Sequence, residues 1–300
     1  MFHRLRRFME SSRKMPESAS AETTGLVPSG DVQIFFRRFG KRAGKTPLLI
    51  AHGLSYFSYD WIPVASQLAE DREVVAFDLR GFGDSSWSES RAYDLSDFSS
   101  DIVALLDHLG WSDAVLIGHS MGGRICLATA GWQPDRVRAL VCLDFAPDVE
   151  APGRRKVAER IGNQPDRFTS VDAALAYHGY RDVAPQSQLR KRWEAFLRVG
   201  PDGLTLKRDL YFRDSFREVL LTGKPQASPI DLWAMLRGLR MPSLFVRGAE
   251  SDMFASETMD KLRAGNDRAS VVQIAGSHAL MDDNPAGLVA EVRQFLATIR

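Results

Sequence analysis

The chain has 300 residues, of which 44% are hydrophobic and 26% charged, proportions typical of a soluble globular protein with a large core. Its formal net charge of +1 argues against a nucleic acid or a membrane surface recruited as a partner by bulk charge. No apolar run reaches the roughly 18 residues that a membrane helix needs, so no membrane insertion is expected. Cys126 and Cys142 lie in apolar runs and are expected to be free, buried thiols, which demand no oxidising compartment.

Residues 1–26 are predicted to form a flexible N-terminal arm. The segment begins basic and amphipathic and then becomes rich in serine and glutamate. It lacks the continuous apolar stretch of a secretory signal, and Glu10, Glu17 and Glu22 argue against an organellar leader. We therefore expect a cytoplasmic protein of bacterial type whose arm is loose or docks on a partner.

Short apolar runs alternate with amphipathic stretches from residue 27 onward. Runs such as PLLIA, VVAFD and AVLIG are apolar at nearly every position, which indicates parallel strands covered on both faces. The alternation of such strands with helices predicts a doubly wound, mostly parallel α/β sheet. The predicted strands are 32–39, 47–51, 73–78, 114–117, 138–143, 243–247 and 270–274, and the predicted helices are 61–70, 95–109, 123–131 and 285–299.

The segment 147–241 interrupts this alternation. It shows a helical pattern with many aromatic residues and arginines, and it contains no convincing strand. An insertion of this length between two sheet strands predicts a separate helical cap. The α/β core would then consist of residues 27–146 and 242–300.

The run LIGHSMGG at 116–123 places a serine at the junction of a predicted strand and a predicted helix. Gly118, Ser120 and Gly122 form a G-x-S-x-G pattern in the context that this motif requires. A serine that projects above the sheet needs a sharp, strained turn, and flanking glycines relieve the crowding between strand and helix. The following helix directs free N–H groups toward the serine. We interpret Ser120 as a nucleophile rather than as part of a glycine-rich helix start.

Six motifs along the chain occur in the order found in a known superfamily. They are AHGL at 51–54, FDLRGFGDS at 77–85, GHSMGG at 118–123, LDFAP at 143–147, RGAESD at 247–252 and GSHALMDDNP at 276–285. With these motifs the chain resembles the serine-nucleophile α/β-hydrolases that carry a helical cap, from about residue 27 to the C-terminus. No motif for a metal or a nucleotide occurs, so no metal and no cofactor are expected.

The resemblance implies which groups serve as base and as oxyanion donors. His278 follows the last predicted strand, where the superfamily carries its base. The backbone N–H of Leu54, in the turn after strand 47–51, and that of Met121, directly after the nucleophile, would donate to an oxyanion. His52 is expected to brace that turn rather than to act as a base, and it is placed among the residues at the substrate.

Two aspartates lie where the superfamily places the carboxylate that orients the histidine. Asp252, in RGAESD, occupies the commoner position, and Asp144, in LDFAP, occupies the alternative one. A charged residue at the end of the run ALVCL needs a partner, because an unpaired buried carboxylate is costly. We favour Asp252 narrowly, with the other aspartate as a supporting carboxylate or as a brace of its loop.

The cap is expected to supply specificity for a small-molecule substrate. Arg160 and Arg181, together with Tyr177, could hold a carboxylate of the substrate through bidentate hydrogen bonds. The simpler interpretation is that these arginines are solvated surface residues. A homodimer is possible.

A serine, a histidine and an aspartate with two oxyanion donors imply acyl transfer to Ser120 and hydrolysis of an ester, lactone or amide. One alternative is a C–C bond hydrolase or a cofactor-free oxygenase that uses His278 and an aspartate as its base. A second alternative is a hydrolase-like protein that binds a ligand without turnover. Epoxide hydrolases and haloalkane dehalogenases of this superfamily carry an aspartate at the elbow. The serine at position 120 therefore argues against both.

Overall fold

The computed structural model describes residues 23–224 and 230–299, so most of the predicted arm lies outside the described residues. The sheet strands are β1 (Thr23–Ser29), β2 (Val32–Phe39), β3 (Leu48–Ala51), β4 (Val74–Phe77), β5 (Ala114–His119), β6 (Val137–Leu143), β9 (Ser243–Gly248) and β10 (Ala269–Ile274), and β7 (Leu197–Gly200) and β8 (Gly203–Leu206) form a separate hairpin. The main sheet has the order β1-β2-β4-β3-β5-β6-β9-β10. Strands β4, β3, β5, β6, β9 and β10 are parallel, and β1 and β2 are antiparallel at one edge.

The predicted doubly wound sheet is confirmed, and all seven predicted strands are present within one or two residues of their expected ends. Strands β3, β4 and β5 are buried at every position, as their unbroken apolar runs indicate. Their carboxyl ends meet at one edge of the sheet. Polar residues that follow these strands are therefore brought together there.

Strand β1 was not predicted, and its first four residues, 23–26, were wrongly assigned to the arm. Within the described part of the chain the strand pairs only with β2, so one of its edges has no partner strand there. Leu26 is 53% exposed, and Gly25 and Pro28 interrupt any apolar run. An edge strand of this kind gives almost no periodic signal in the sequence.

Helices cover both faces of the sheet. Their bounds are α1 (Ile62–Leu68), α2 (Leu95–His108), α3 (Met121–Trp132), α4 (Ala151–Gly162), α5 (Val171–Tyr177), α6 (Gln188–Phe196), α7 (Leu210–Thr222), α8 (Leu232–Gly238), α9 (Thr258–Gly265), α10 (Leu280–Asp283) and α11 (Pro285–Leu296). Buried side chains of α2, α3 and α8 pack on one face, and those of α1 and α11 pack on the other. No helix of residues 23–224 and 230–299 has both the length and the apolar character needed to cross a bilayer. The cytoplasmic location and the homodimer stay predictions.

The insertion between β6 and β9 contains α4 to α7 and differs from the expected all-helical cap in two respects. First, β7 and β8 form an antiparallel hairpin, so the expectation of no strand is wrong. Each strand has only four residues, and Val199 is 82% exposed, so neither resembles a buried strand in the sequence. Second, α8 packs with Leu232 and Leu236 in the core beside α3, although it lies before the predicted cap boundary at 241.

A buried ion pair fixes the loop that follows β4. Arg80, 3% exposed, donates to both oxygens of Asp101 on α2, with Nε–Oδ2 at 2.7 Å and Nη2–Oδ1 at 2.6 Å. Its Nη1 also donates to the carbonyl oxygen of Ala92 at 2.8 Å. The pair ties the loop at Gly81, which borders the site described below, to the covering helix.

We expect Asp101→Ala to lower the free energy of unfolding by about 3–5 kcal/mol, because it leaves the Arg80 guanidinium buried without its carboxylate. Urea unfolding followed by circular dichroism measures the change. Arg155→Ala, which removes the fully exposed ion pair with Glu159 on α4, is the matched control and should leave the midpoint unchanged. Equal midpoints for the two variants would contradict the expectation.

Candidate active site

Ser120 lies at the carboxyl end of the central strand β5 and caps helix α3. Its backbone has φ 53° and ψ −114°, a conformation that L-residues rarely adopt. Its N–H still donates to the carbonyl oxygen of Leu143 at 3.1 Å, so the turn begins within the sheet pairing. The sharp turn raises the serine side chain above the strand ends, as the motif predicts.

The glycines around Ser120 stand where side chains would collide with backbone. A Cβ at Gly118 would overlap the carbonyl group of Gly122, and a Cβ at Gly122 would overlap that of Ala51 on β3. A Cβ at Gly53 would lie 2.7 Å from Nδ1 of His119. The elbow is therefore packed directly against β3 and the turn that follows it.

His278 contacts the Ser120 hydroxyl. The distance from His278 Nε2 to Ser120 Oγ is 3.0 Å. The histidine lies in the loop between β10 and α10, which Ser277 fastens by donating its N–H to Asp283 Oδ2 at 2.7 Å. The imidazole is thus within hydrogen-bond reach of the expected nucleophile, in the position that the sequence predicts.

The other ring nitrogen of His278 donates to Asp144, with Nδ1 and Oδ2 separated by 2.6 Å. The same oxygen accepts from the hydroxyl of Ser251 at 2.5 Å, and Oδ1 accepts from the Gly248 N–H at 2.8 Å. The Asp144 side chain is fully buried and its backbone φ is 46°. Three donors on one buried carboxylate fit the ionised form, which can only accept hydrogen bonds.

The preference for Asp252 as the partner of the histidine is wrong in this geometry. The Asp252 carboxylate instead binds Lys156 Nζ on α4 at 2.7 Å and is 25% exposed. The segment RGAESD still serves the site, because it supplies Gly248 and Ser251 as donors to Asp144. Asp144 and Asp252 follow neighbouring parallel strands, so both carboxylates are expected at the same sheet edge. The sequence alone therefore did not decide which of them binds His278.

The turn after β3 faces the start of α3. Met121 is the first residue of that helix, so its N–H has no acceptor within the helix. Leu54 follows Gly53, whose carbonyl oxygen accepts from the Tyr56 N–H at 3.0 Å in a tight turn. Both N–H groups belong to the two segments that flank Ser120, as the resemblance implies.

His52 is fully buried and uses both ring nitrogens within the protein. Its Nδ1 donates to the Gly53 carbonyl oxygen at 2.8 Å, and its Nε2 accepts from the Leu79 N–H at 2.9 Å. Burial lowers the pKa of His52 to about 4, so the ring is neutral. The expectation that it braces the turn agrees with these bonds, whereas its assignment among substrate-binding residues is wrong because neither nitrogen is free.

A sequence model described as the alpha/beta hydrolase fold matches residues 46–285. The chain belongs to this family. The match spans the elbow, the turn after β3 and the histidine loop. Its relatives in turn support an enzyme of the hydrolase class.

The 3-hydroxybutyrate-oligomer hydrolase of Cupriavidus necator is 30% identical over 284 residues, which cover 90% of this chain and 95% of that protein. The 2-(acetamidomethylene)succinate hydrolase of Mesorhizobium japonicum is 26% identical over 259 residues, which cover 85% of this chain and 90% of that protein. A crystal structure of E-2-(acetamidomethylene)succinate hydrolase has a TM-score of 0.77 at 24% identity, covers 93% of this chain and 100% of that chain, and is similar in fold.

His119 is a residue of this hydrolase site that sequence reasoning treated as the variable position of the elbow. It is fully buried, and its Nε2 donates to the carbonyl oxygen of His278 at 2.8 Å. Burial and the neighbouring charge of His278 hold the pKa of His119 well below its usual value. The elbow therefore holds the histidine loop directly. The sequence signal for this role of His119 was a polar residue at the end of a wholly buried strand.

Asp78 was also missed, although it too follows an apolar strand. It is fully buried, accepts from the Ser58 N–H at 2.6 Å and the Asp84 N–H at 2.8 Å, and leaves no room for a Cβ at Gly83. Burial raises the pKa of Asp78 to about 6. This carboxylate joins the loop after β4 to the loop after β3, so the two segments that border Ser120 form one unit.

The three cap residues expected at the substrate have different surroundings. Arg160 on α4 donates to Ser55 Oγ at 3.2 Å, one residue beyond Leu54. Tyr177 is 41% exposed and packs its ring on His178 with centroids 5.1 Å apart. Arg181 is exposed and makes no hydrogen bond or ion pair within the described part of the chain. The structure therefore brings Arg160 to the site and does not bring Arg181.

We expect Gly122→Ala to destabilise the protein by about 1–3 kcal/mol, because its methyl group would overlap the backbone of β3. Gly131→Ala in the same helix is the control, since its Cβ would meet the flexible Met235 side chain at 3.3 Å and alanine favours a helix. Thermal unfolding measures both. A midpoint for Gly122→Ala equal to or above that of Gly131→Ala would contradict the packing argument.

Proposed function

We propose that this chain is a serine hydrolase that cleaves a carboxylic ester-type bond of a small molecule through an acyl-enzyme on Ser120. The observation that carries the proposal is the continuous hydrogen-bonded chain from Ser120 Oγ through His278 to Asp144, with separations of 3.0 Å and 2.6 Å. A nucleophile, its base and an orienting carboxylate in this order are the arrangement that acyl transfer needs.

In the proposed reaction, Ser120 Oγ attacks the carbonyl carbon while His278 Nε2 takes the hydroxyl proton. The N–H groups of Leu54 and Met121 donate to the oxygen that becomes negative. The tetrahedral intermediate collapses as His278 returns the proton to the leaving group, which leaves the acyl group on Ser120. Water then attacks the acyl ester while His278 takes its proton. His278 returns that proton to Ser120 Oγ, which frees the serine and releases the acid.

Asp144 acts on the imidazole and not on the substrate. Its hydrogen bond to Nδ1 fixes the tautomer in which Nε2 can accept the serine proton, and its charge stabilises the imidazolium that forms. Ser251 and Gly248 hold the carboxylate in place by donating to it. We therefore propose Asp144 rather than Asp252 as the third member of the triad.

The names of the relatives support the class of bond. One hydrolyses 3-hydroxybutyrate oligomers, and another hydrolyses 2-(acetamidomethylene)succinate. Esters, lactones and amides all pass through the same acyl-enzyme chemistry, so we propose that the substrate belongs to this group. The bond to be cleaved would lie above Ser120, between the sheet edge and the insertion that contains α4 to α7.

We expect Ser120→Ala to lower kcat/KM on p-nitrophenyl esters by on the order of 10⁴–10⁶-fold, because the nucleophile is lost. A fluorophosphonate should label the native chain once and leave Ser120→Ala unlabelled. A base-only mechanism, such as that of a cofactor-free oxygenase, would retain much of its activity in this variant. Labelling without turnover on a broad ester panel would instead indicate a ligand-binding protein.

The two aspartates give a matched pair of variants. Asp144→Asn should lower kcat by on the order of 10³–10⁴-fold, because the amide no longer holds His278 in the productive tautomer. Asp252→Asn, which alters only the ion pair to Lys156, should change kcat less than about threefold. Steady-state hydrolysis of one p-nitrophenyl ester measures both. Comparable losses in the two variants would count against Asp144 as the working acid.

A further inference from the structure

A buried arginine in the insertion has no acidic partner. Arg208 follows β8 and is 5% exposed. Its guanidinium makes a hydrogen bond of 2.5 Å, from Nη2 to Oε1 of the neutral Gln164 side chain. Within residues 23–224 and 230–299, no Asp or Glu oxygen lies within 4.0 Å of its nitrogens.

Such a group is costly, because a buried charge is normally paired. The neighbouring charge at Arg208 has the same sign, since Arg160 acts on it electrostatically. Burial and then the charge of Arg160 lower the pKa of Arg208 to about 10, which still leaves the group protonated at neutral pH. Because neither cation has an ionic partner among the described residues, an anion would stabilise the pair.

The backbone of Arg208 is paired with the loop after β4, which borders the site. Arg208 forms an antiparallel bridge with Phe82 in the loop after β4, so their side chains lie on the same face. The Phe82 ring packs edge-on against the His52 ring, with centroids 5.4 Å apart. Lys207 and Asp209, on the opposite face, bind Asp84 and Tyr93 instead. Arg208 therefore lies on the same face as Phe82, whose ring contacts the ring of His52.

Arg160 approaches the same turn from α4. Its Nη2 donates to Ser55 Oγ at 3.2 Å, and Ser55 follows Leu54 directly. No acidic group of the described residues pairs with Arg160 either. Arg160 thus contacts the turn that carries one of the two proposed oxyanion donors.

His178 is a second buried polar group on which these arginines act. Its Nε2 is buried and has no hydrogen-bond partner in the described structure. Burial, followed by the charges of Arg192, Arg160 and Arg208, lowers its pKa to about 3. Arg192 is paired with Asp60 at 2.8 Å and 3.1 Å, whereas neither Arg160 nor Arg208 takes part in an ion pair among the described residues.

We propose that Arg208 and Arg160 bind a carboxylate of the substrate beside the bond that Ser120 attacks. The proposal deepens the proposed function and rests on it. Arg208, pre-positioned by Gln164 and excluded from water, anchors the carboxylate, and Arg160 closes over it from α4. The substrate class is therefore an ester, lactone or amide that also carries a free carboxylate.

The test uses matched pairs of substrates that differ in one charge. Mono-p-nitrophenyl adipate and its methyl ester carry the difference in the acyl part, and m-acetoxybenzoate and its methyl ester carry it in the leaving group. The native chain should show a kcat/KM at least about tenfold higher for the acid in one of the pairs, the factor expected of a charge-assisted hydrogen bond. Equal or lower values for both acids would overturn the proposal.

Three arginine variants show which side chains cause the preference for the acid over its methyl ester. Arg208→Gln and Arg160→Gln should each lower kcat/KM for the preferred acid by about tenfold or more and change the methyl ester less than threefold. Arg181→Gln, the exposed arginine of the same insertion, should change neither substrate. If Arg208→Gln fails to fold in a thermal scan, the exposed Arg160→Gln decides the result alone. Equal losses on acid and ester, or an equal loss in Arg181→Gln, would overturn the proposal.

A binding measurement separates failure of this proposal from failure of the proposed function. Calorimetric titration of Ser120→Ala with monomethyl adipate and with dimethyl adipate requires no turnover. Tighter binding of the monoanion than of the diester, lost in Arg160→Gln, supports the anion site even if no ester is hydrolysed. The absence of hydrolysis would then overturn only the proposal of a serine hydrolase. Hydrolysis of both members of each pair at equal rates, with equal binding, overturns only the anion site.

Discussion

The buried carboxylate of Asp144 is the group around which the site is assembled. It lies at the end of β6 and accepts from three donors that come from β9, the loop after β9 and the loop after β10. Each donor lies at or just beyond the carboxyl end of a parallel strand, so one carboxylate joins the ends of β6, β9 and β10. Because water is excluded, the carboxylate depends on these bonds for its solvation. The position of His278 above Ser120 is a consequence of that arrangement.

A second set of bonds connects the other half of the site. His52 joins the turn after β3 to the loop after β4, and Asp78 joins the same two loops a few residues further on. The ion pair of Arg80 with Asp101 fixes that loop to α2. His119 then links the elbow to the histidine loop. Every loop that borders Ser120 is thus bound to another loop by a buried polar side chain, which holds the geometry before a substrate arrives.

The sequence predicts the parts of this site that depend on local structure. Ser120 could be placed because a strand, a serine between glycines and a helix are adjacent in the chain, and the parallel strands could be placed because burial on both faces leaves an unbroken apolar run. The partner of His278 could not be placed in the same way. Asp144 and Asp252 follow neighbouring strands, and the choice between them depends on the path of the loop after β9, where Lys156 draws Asp252 away. Strand β1 and the β7–β8 hairpin were missed because neither buries both faces.

The backbone pairing of the Arg208 segment has a consequence for how a substrate enters. The N–H of Asp209 donates to the Gly81 carbonyl oxygen at 2.8 Å, and that of Gly83 donates to the Lys207 carbonyl oxygen at 2.7 Å. These bonds extend the sheet-like contact between the insertion and the core on both sides of Arg208. The insertion is thus fixed to the core along this edge, whereas Arg160 on α4 is exposed and reaches the core through its side chain at Ser55. A molecule arriving from solvent would thus meet the exposed arginine first and the buried one last.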